Sequence, residues 1–197
     1  MIAAIILSAG ESRRMGSPKA LLPYPGLNET FIEHLVGIFQ ATRANPVVVI
    51  LGHHRDLIRQ SANLRGVRIV VNERYREGML SSIQAGLAAL GDPEIEGALV
   101  CPVDLPEARV EIVDLLISRF ESTGSSIVLP VSEGRRGHPV LFSRSVFTDL
   151  RKAPPTVGAR QVVWDRQSEL LEVEVSDAGI HRDVDTPDDY RAFQQEN

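Results

Sequence analysis

Short runs of β-branched and other apolar residues alternate along the chain with longer stretches in which apolar residues recur every three or four positions. Ile2–Leu7, Pro46–Leu51 and Ala98–Val103 are three such runs, and Glu29–Ala41 is a stretch with helical spacing. This alternation is typical of an α/β domain with a mainly parallel sheet. Because Ile2–Leu7 is apolar at every position, we expect a first strand that is covered on both faces.

The same alternation continues to about residue 130 and is less regular beyond it. Pro139 begins a short apolar segment, which we therefore predict to be an edge strand, and Thr186 and Pro187 begin a last helix. No repeat, low-complexity tract or long linker divides the sequence, so we expect one domain over residues 1–197. The other predicted strands are Val67–Val71, Ser126–Pro130, Pro139–Phe142 and Leu170–Val175, and the other helices are His54–Gln60, Leu80–Leu90, Val110–Phe120, Ser143–Arg151 and Ala159–Trp164.

Charge and cysteine content exclude several classes of function. A net charge of -5 argues against a broad face that binds nucleic acid, although it leaves room for a local cationic pocket. The single cysteine, Cys101, lies in an apolar run and is expected in the core, not as a nucleophile. The apolar start of the chain is too short for a signal peptide or a membrane span. We therefore expect a cytoplasmic protein without nucleic-acid or membrane partners.

The segment from Ser8 to Lys19 combines small residues with Arg13, Arg14 and Lys19. It lacks both the Gly-Lys-Ser/Thr ending of a Walker loop and the GxGxxG turn of a dinucleotide site. Small residues let backbone N–H groups approach anionic oxygens, and the segment follows the carboxyl end of the first strand, where open sheets bind ligands. These residues suit a triphosphate, but a solvated basic surface loop is the alternative.

Asn72–Ile83 joins a predicted strand to a helix. Gly78 suits a turn with positive φ, and Ser81 or Ser82 could cap the helix. From these residues alone, a capped helix start without any ligand remains an equal alternative.

Asp104 follows an apolar strand, where a carboxylate can reach a cation beside a triphosphate. Magnesium prefers one or two carboxylates together with phosphate oxygens and waters. The alternative is that Asp104 caps a helix starting near Glu107.

The last third of the chain contains two further polar segments. His138 stands between a glycine-rich basic stretch and Pro139, which favours an extended backbone at His138, although a hairpin with incidental charges is the alternative. Asp183 and Asp185 alternate along an extended segment and are expected on the same side of it.

Residues 7–19 resemble the signature of the MobA-like nucleotidyltransferases, Leu-Ala-Ala-Gly-x-Ser-x-Arg-Met-Gly-x-x-Lys. In that family the loop wraps the triphosphate, and its Arg and Lys contact the phosphates. The resemblance therefore implies that Arg14 and Lys19 stabilise charge on the α-phosphate and the departing pyrophosphate. The matching residues are Leu7, Ala9, Gly10, Ser12, Arg14, Met15, Gly16 and Lys19, and Ser8 replaces an alanine. The residues implied to bind nucleotide here are Ser8, Ala9, Gly10, Ser12, Arg14 and Lys19.

Two later segments resemble the same family. Residues 72–87 are similar to its Asn-x-x-Tyr-x-x-Gly-x-x-x-Ser-φ-x-x-Gly-Leu stretch, which implies base and ribose contacts by Gly78, Ser81 and Ser82. Residues 183–190 are similar to Asp-Ile-Asp-Thr-Pro-Glu-Asp-Tyr. The resemblance implies that Mg²⁺ binds Asp104 and a second ligand, for which Asp185 is preferred and Asp183 is the reserve.

Within the family, two segments are most similar to the MocA branch, the molybdenum cofactor cytidylyltransferases. These are the Gly-x-x-Gly-His-Pro-Val stretch at residues 134–140 and the Gly-Ala-Arg motif at residues 158–160. The likeness implies that His138 and Arg160 help to hold the acceptor.

The resemblance implies a three-layer α/β/α fold of the nucleotide-diphospho-sugar transferase kind. It also implies transfer of CMP from CTP to a phosphorylated acceptor, expected to be molybdopterin, with Lys19, Arg14 and Asp104 as catalytic residues and Mg²⁺ as cofactor. The alternatives are a MobA-type guanylyltransferase that uses GTP, and a carrier or insertion protein without catalysis. A molybdoenzyme or its chaperone is a further expected partner. The missing GxGxxG turn disfavours an NAD(P)-binding protein.

Overall fold

The first strand lies inside a single mixed sheet in the computed structural model, which describes residues 1–196. Strand β1 (Ile2–Ser8) is buried at all positions and is flanked by two parallel neighbours. Its alternate side chains enter different cores: Ile6 packs on one face of the sheet, and Ile5 packs on the other. A core on each face makes the three-layer architecture that the sequence predicts.

The sheet has eight strands, which run β3–β2–β1–β4–β7–β5 from one edge. Ile127 of β5 pairs with both β7 and β8, so those two strands lie on opposite sides of β5. Strand β6 forms a short antiparallel hairpin with the end of β5. The remaining strands are β2 (Val47–Leu51), β3 (Arg68–Val71), β4 (Gly97–Pro102), β5 (Ile127–Ser132), β6 (Arg135–Arg136), β7 (Val140–Ser143) and β8 (Leu170–Glu174).

The helices divide between the two faces of the sheet. Helices α1, α4 and α7 contribute buried residues to the core that contains Ile6, whereas α3, α5 and α6 contribute to the core that contains Ile5. No helix within residues 1–196 is long and apolar enough to cross a membrane. The helices are α1 (Phe31–Gln40), α2 (Arg55–Ser61), α3 (Met79–Ala89), α4 (Val110–Thr123), α5 (Phe147–Lys152), α6 (Gly158–Asp165) and α7 (Pro187–Glu196).

The prediction that Pro139 starts an edge strand is wrong. Strand β7 lies inside the sheet and pairs in antiparallel orientation with both β4 and β5. The ladder begins at Val140, which pairs with Val100, so the proline precedes the strand and its missing N–H is not required. Together with the β5–β6 hairpin, this strand makes the mainly parallel sheet a mixed one.

Candidate active site

A cavity of about 330 Å³ opens at the carboxyl ends of β1 and β4. The loop after β1 forms one wall, and the start of α3 forms another. Parallel strands direct their carboxyl ends to the same edge, which is where open α/β sheets bind ligands. All six residues that the family signature implies for nucleotide binding line the cavity: Ser8, Ala9, Gly10, Ser12, Arg14 and Lys19.

Hydrogen bonds within the loop fix the position of Lys19. Ser12 adopts a φ of 52°, and its carbonyl accepts from the N–H groups of Met15 and Gly16, each at 3.1 Å. The Ser12 hydroxyl accepts from the backbone N–H of Lys19 at 3.2 Å. The Met15 side chain is buried in the core below. The loop is therefore a folded turn that ends at Lys19, not a loose basic surface segment.

Gly52, just after β2, supports the loop from the neighbouring strand. A Cβ at this position would lie 2.4 Å from the Ala9 carbonyl oxygen, which also accepts from the N–H of His53 at 3.1 Å. Only a residue without a side chain permits this close approach of two backbone segments.

We expect Gly52→Ala to destabilise the protein by about 2 kcal/mol and to weaken nucleotide binding, because the loop must shift to relieve the clash. Urea unfolding gives the first effect, and nucleotide titration gives the second. Gly37→Ala is the matched control: Gly37 is an exposed position of helix α1 and no atom lies within 4 Å of its added Cβ, so it should stabilise by about 1 kcal/mol. Equal behaviour of the two variants would contradict the role of Gly52.

Lys19 contacts both Asp104 and Asp185, the two acidic residues that the family resemblance assigns to one metal site. Its ammonium is 2.9 Å from Asp104 Oδ2 and donates a further hydrogen bond to Asp185 Oδ1. Arg14 approaches the other oxygen of Asp185 at 2.5 Å. The Lys19 side chain is 12% exposed, whereas that of Arg14 is 69% exposed. The carboxylates and cations thus form one compact cluster that lines the cavity.

Backbone contacts bring Asp185 to Asp104 from 81 residues further along the chain. The N–H of Val184 donates to the Asp104 carbonyl at 2.8 Å. The Asp189 carboxylate, in the first turn of α7, accepts from the N–H groups of Asp185 at 3.1 Å and Thr186 at 2.7 Å. Asp189 therefore stabilises the start of α7 and also positions the backbone of Asp185. Helix α4 begins only at Val110, so Asp104 does not cap it.

The cluster keeps its members charged. Burial alone would lower the pKa of Lys19, but Asp104 and Asp185 outweigh it and raise that pKa above its usual value. Burial also acts to raise the pKa of Asp185, yet the hydrogen bond and charge of Lys19, together with Arg14, hold it below its usual value. At neutral pH Lys19 is therefore a cation and Asp185 an anion.

The two carboxylates fit a divalent cation. Asp104 and Asp185 approach the same ammonium group, so they face a common point. Within residues 1–196, no group of three or more His, Cys, Asp and Glu side chains is arranged to hold a metal. Two carboxylates that rely on phosphate oxygens and water for the other ligands match the preference of Mg²⁺.

The start of α3 reaches the cavity through only some of the predicted residues. Gly78 has a φ of 101° and lines the cavity, as does Ser82. Ser81 does not: its buried hydroxyl donates to the carbonyl of Gly78 at 2.8 Å and accepts from the Asn72 amide at 2.8 Å. Ser81 therefore has a structural role at the beginning of the helix, and its nucleotide contact stays a prediction.

The predicted acceptor residues and the reserve metal ligand lie outside this cavity. His138 is close enough to Asp104 to feel its charge, but burial has the larger effect and lowers the pKa of the histidine, which keeps it neutral at neutral pH. Arg160 is exposed on α6 and does not line the cavity that contains the carboxylates. Asp183 is also exposed, so Asp185 alone of the acidic pair enters the cluster.

Among the polar residues of the cavity, His54 and Tyr75 have no ligand role predicted from the sequence. His54 lines the cavity, and its Nε2 donates to the Glu11 carbonyl at 3.1 Å. Tyr75 lines the cavity as well, and its hydroxyl is 3.0 Å from Nδ1 of His53. The position of His54 shortly after β2, a neighbour of β1, is a signal that could have identified it, because adjacent parallel strands end at the same edge.

Comparison with known proteins agrees with this geometry. The family model of the MobA-like NTP transferase domain matches residues 4–170. The chain belongs to this family. A relative from Mycobacterium tuberculosis (strain ATCC 25618 / H37Rv), named "Probable molybdenum cofactor guanylyltransferase", is 34% identical over 177 residues, which are 90% of this chain and 81% of the relative.

Solved structures similar to this MobA-like domain extend over almost the whole chain. Rv0371c from Mycobacterium tuberculosis H37Rv has a TM-score of 0.86 and 27% identity, and covers 98% of this chain and 97% of its own. A structure described as Rv0371C in complex with manganese has a TM-score of 0.84 and 26% identity, and covers 100% of this chain and 99% of its own. The nucleotide-diphospho-sugar transferase architecture predicted from the sequence is thereby confirmed.

Proposed function

We propose that this MobA-like protein is a nucleotidyltransferase of molybdenum cofactor biosynthesis that transfers GMP from GTP to a phosphorylated, molybdopterin-type acceptor. The observation that carries the proposal is the convergence of Lys19 with Asp104 and Asp185 inside the cavity beside the β1 loop. A protein that only carried a pterin would have little use for a lysine and two carboxylates in this arrangement.

In the proposed reaction, an oxygen of the acceptor phosphate forms a bond to the α-phosphorus of the nucleotide. The bond from that phosphorus to the pyrophosphate oxygen breaks, and pyrophosphate leaves with the electron pair. An ionised phosphate needs no proton removed, so the chain does not have to provide a general base. Lys19 and Arg14 bind the phosphates and stabilise the charge that develops on them.

Asp104 and Asp185 are the residues that would hold Mg²⁺. When bound, the ion neutralises phosphate charge and fixes the orientation of the triphosphate. The remaining nucleotide contacts that we propose come from the β1 loop and the start of α3, in particular from Gly78 and Ser82, which line the cavity.

The choice of GTP is supported by relatives. Besides the Mycobacterium tuberculosis protein, a relative from Mycobacterium avium (strain 104) is named "Probable molybdenum cofactor guanylyltransferase", with 30% identity over 98% of this chain and 95% of its own length. The second candidate is CTP, which the MocA-like stretches around His138 and Arg160 favour. Neither residue lines the cavity, whereas both relatives are named guanylyltransferases, which favours GTP.

A thermal-unfolding panel with GTP, CTP, ATP and UTP, each with and without Mg²⁺, tests the nucleotide. We expect GTP with Mg²⁺ to stabilise most, by about 2.7 kcal/mol at about 100 times its Kd. That corresponds to a rise of about 5 to 10 °C in the midpoint for a chain of this size. A larger shift with CTP would replace the guanylyl proposal by the cytidylyl one.

Catalysis is tested separately by pyrophosphate release. We expect release from GTP to require both Mg²⁺ and a molybdopterin-type acceptor. A protein that binds the acceptor and the nucleotide but releases no pyrophosphate would be a carrier or insertion protein, and the proposed function would be wrong.

A further inference from the structure

We infer that Lys19 closes the paired carboxylates to a free divalent cation, so that the site takes up metal and nucleotide together as a metal–triphosphate complex. The inference rests on the proposed function in one respect, namely that an NTP is the ligand of this cavity. It adds a role for Lys19 before any chemistry takes place.

The position of Lys19 blocks the space between the two carboxylates. The Lys19 ammonium contacts Asp104 Oδ2 at 2.9 Å and donates to Asp185 Oδ1, so it occupies the space between the two carboxylates. Asp104 and Asp185 are also the two residues that would hold a metal ion. An ammonium and a metal ion cannot occupy this space together, so Lys19 must move before the metal enters.

The net charge of the cluster also disfavours a free cation. Asp104 and Asp185 contribute two negative charges, and Lys19 and Arg14 contribute two positive ones, so the cluster as a whole is neutral. A free divalent cation therefore gains little net attraction from it. The cation would also have to separate the Lys19 ammonium, on a side chain that is only 12% exposed, from both of its carboxylate partners.

A bound triphosphate changes the charge balance of the cluster in favour of the metal ion. It brings several negative charges into the same cavity and offers oxygens to Lys19 and Arg14, both of which line it. Lys19 can then exchange the carboxylates for phosphate, which leaves Asp104 and Asp185 for the metal. Nucleotide and metal thus favour the same rearrangement, and each should strengthen the binding of the other.

The test is a Mn²⁺ titration without nucleotide, in which unbound Mn²⁺ is measured by electron paramagnetic resonance. Wild-type protein should bind Mn²⁺ weakly, and Lys19→Met should bind it at least about tenfold more tightly, since the competing ammonium is gone. Lys152→Met is the matched control. It removes the same charge from the only other lysine, which is exposed on α5, and should leave Mn²⁺ affinity unchanged.

A second measurement uses wild-type protein alone, so the test does not depend on folding of the variant. Addition of GTP should increase the Mn²⁺ affinity of the protein by at least about tenfold, as seen by water-proton relaxation in the ternary complex. The inference is overturned if wild type and Lys19→Met bind Mn²⁺ equally, or if GTP leaves the affinity of wild type unchanged. Failure of the proposed function would give a different result: pyrophosphate release would be absent, while Lys19→Met would still bind Mn²⁺ more tightly than wild type.

Discussion

Replacement of Lys19 by alanine is expected to lower the rate of nucleotidyl transfer by about 10² to 10³, the usual effect of removing one group that stabilises transition-state charge. Lys19 is less exposed than Arg14, the other cation of the cluster. The preceding loop fixes the backbone of Lys19 through the hydrogen bond from its N–H to the Ser12 hydroxyl. Arg14 is more exposed and should replace little of the lost stabilisation. The loss should therefore appear in kcat and not only in KM.

The fold should survive this substitution because the Lys19 side chain belongs to neither hydrophobic core. Initial rates of pyrophosphate release at saturating GTP and Mg²⁺ measure the effect, and a thermal midpoint near that of wild type excludes unfolding. Lys152→Ala, which truncates the only other lysine of the chain, should retain the wild-type rate. A Lys19→Ala protein with an undiminished rate would rule out the catalytic role.

Much of the fold could be predicted from the sequence because its central strands are buried on both faces. Strands such as β1 and β2 are continuous apolar runs, and the helices between them keep a regular apolar spacing. Beyond β5 the pattern weakens, since β8 is only partly buried and β7 pairs in the opposite direction to its neighbours. Nothing in the short run after Pro139 distinguishes an edge strand from an internal antiparallel one.

The separate parts of the candidate site could be predicted from the residues alone, whereas their assembly was predicted only from the family resemblance. The basic loop after β1 and the acid after β4 follow from the rule that ligands bind at the carboxyl ends of strands. The hydrogen bond from Val184 to the Asp104 carbonyl, which brings in Asp185, joins segments far apart in the chain and leaves no local pattern. Likewise, the capping signal at Ser81 is local, but whether its hydroxyl faces a ligand or the helix start depends on Asn72.

Asp183 and Asp185 illustrate the limit of periodicity. Strict alternation places both side chains on the same side, yet the structure puts Asp185 in the cluster and leaves Asp183 exposed. The segment from 182 to 186 is not part of a strand. Its course is set by the backbone contacts of Val184 and Asp185, so the period of two does not apply to it.

The different positions of Asp183 and Asp185 lead to the second prediction with a large effect on the rate. Asp185→Asn should lower the transfer rate by about 10² or more, because the amide keeps the shape of the side chain but removes a negative charge from the proposed metal site. Asp183→Asn makes the same chemical change two residues away, outside the cavity, and should alter the rate by less than about threefold. Each variant is assayed by pyrophosphate release across a range of Mg²⁺ concentrations.

The dependence on Mg²⁺ separates a metal ligand from a residue that merely holds Lys19. If Asp185 is a ligand, Asp185→Asn should need a higher Mg²⁺ concentration for half-maximal rate, and Asp104→Asn should show the same displacement. If Asp185 only orients the ammonium at Nζ, its loss would lower the rate with an unchanged Mg²⁺ requirement, and the proposed pair of carboxylates would be wrong. A large loss in Asp183→Asn instead would mean that the segment from 182 to 186 turns its other acid into the cavity when the nucleotide binds.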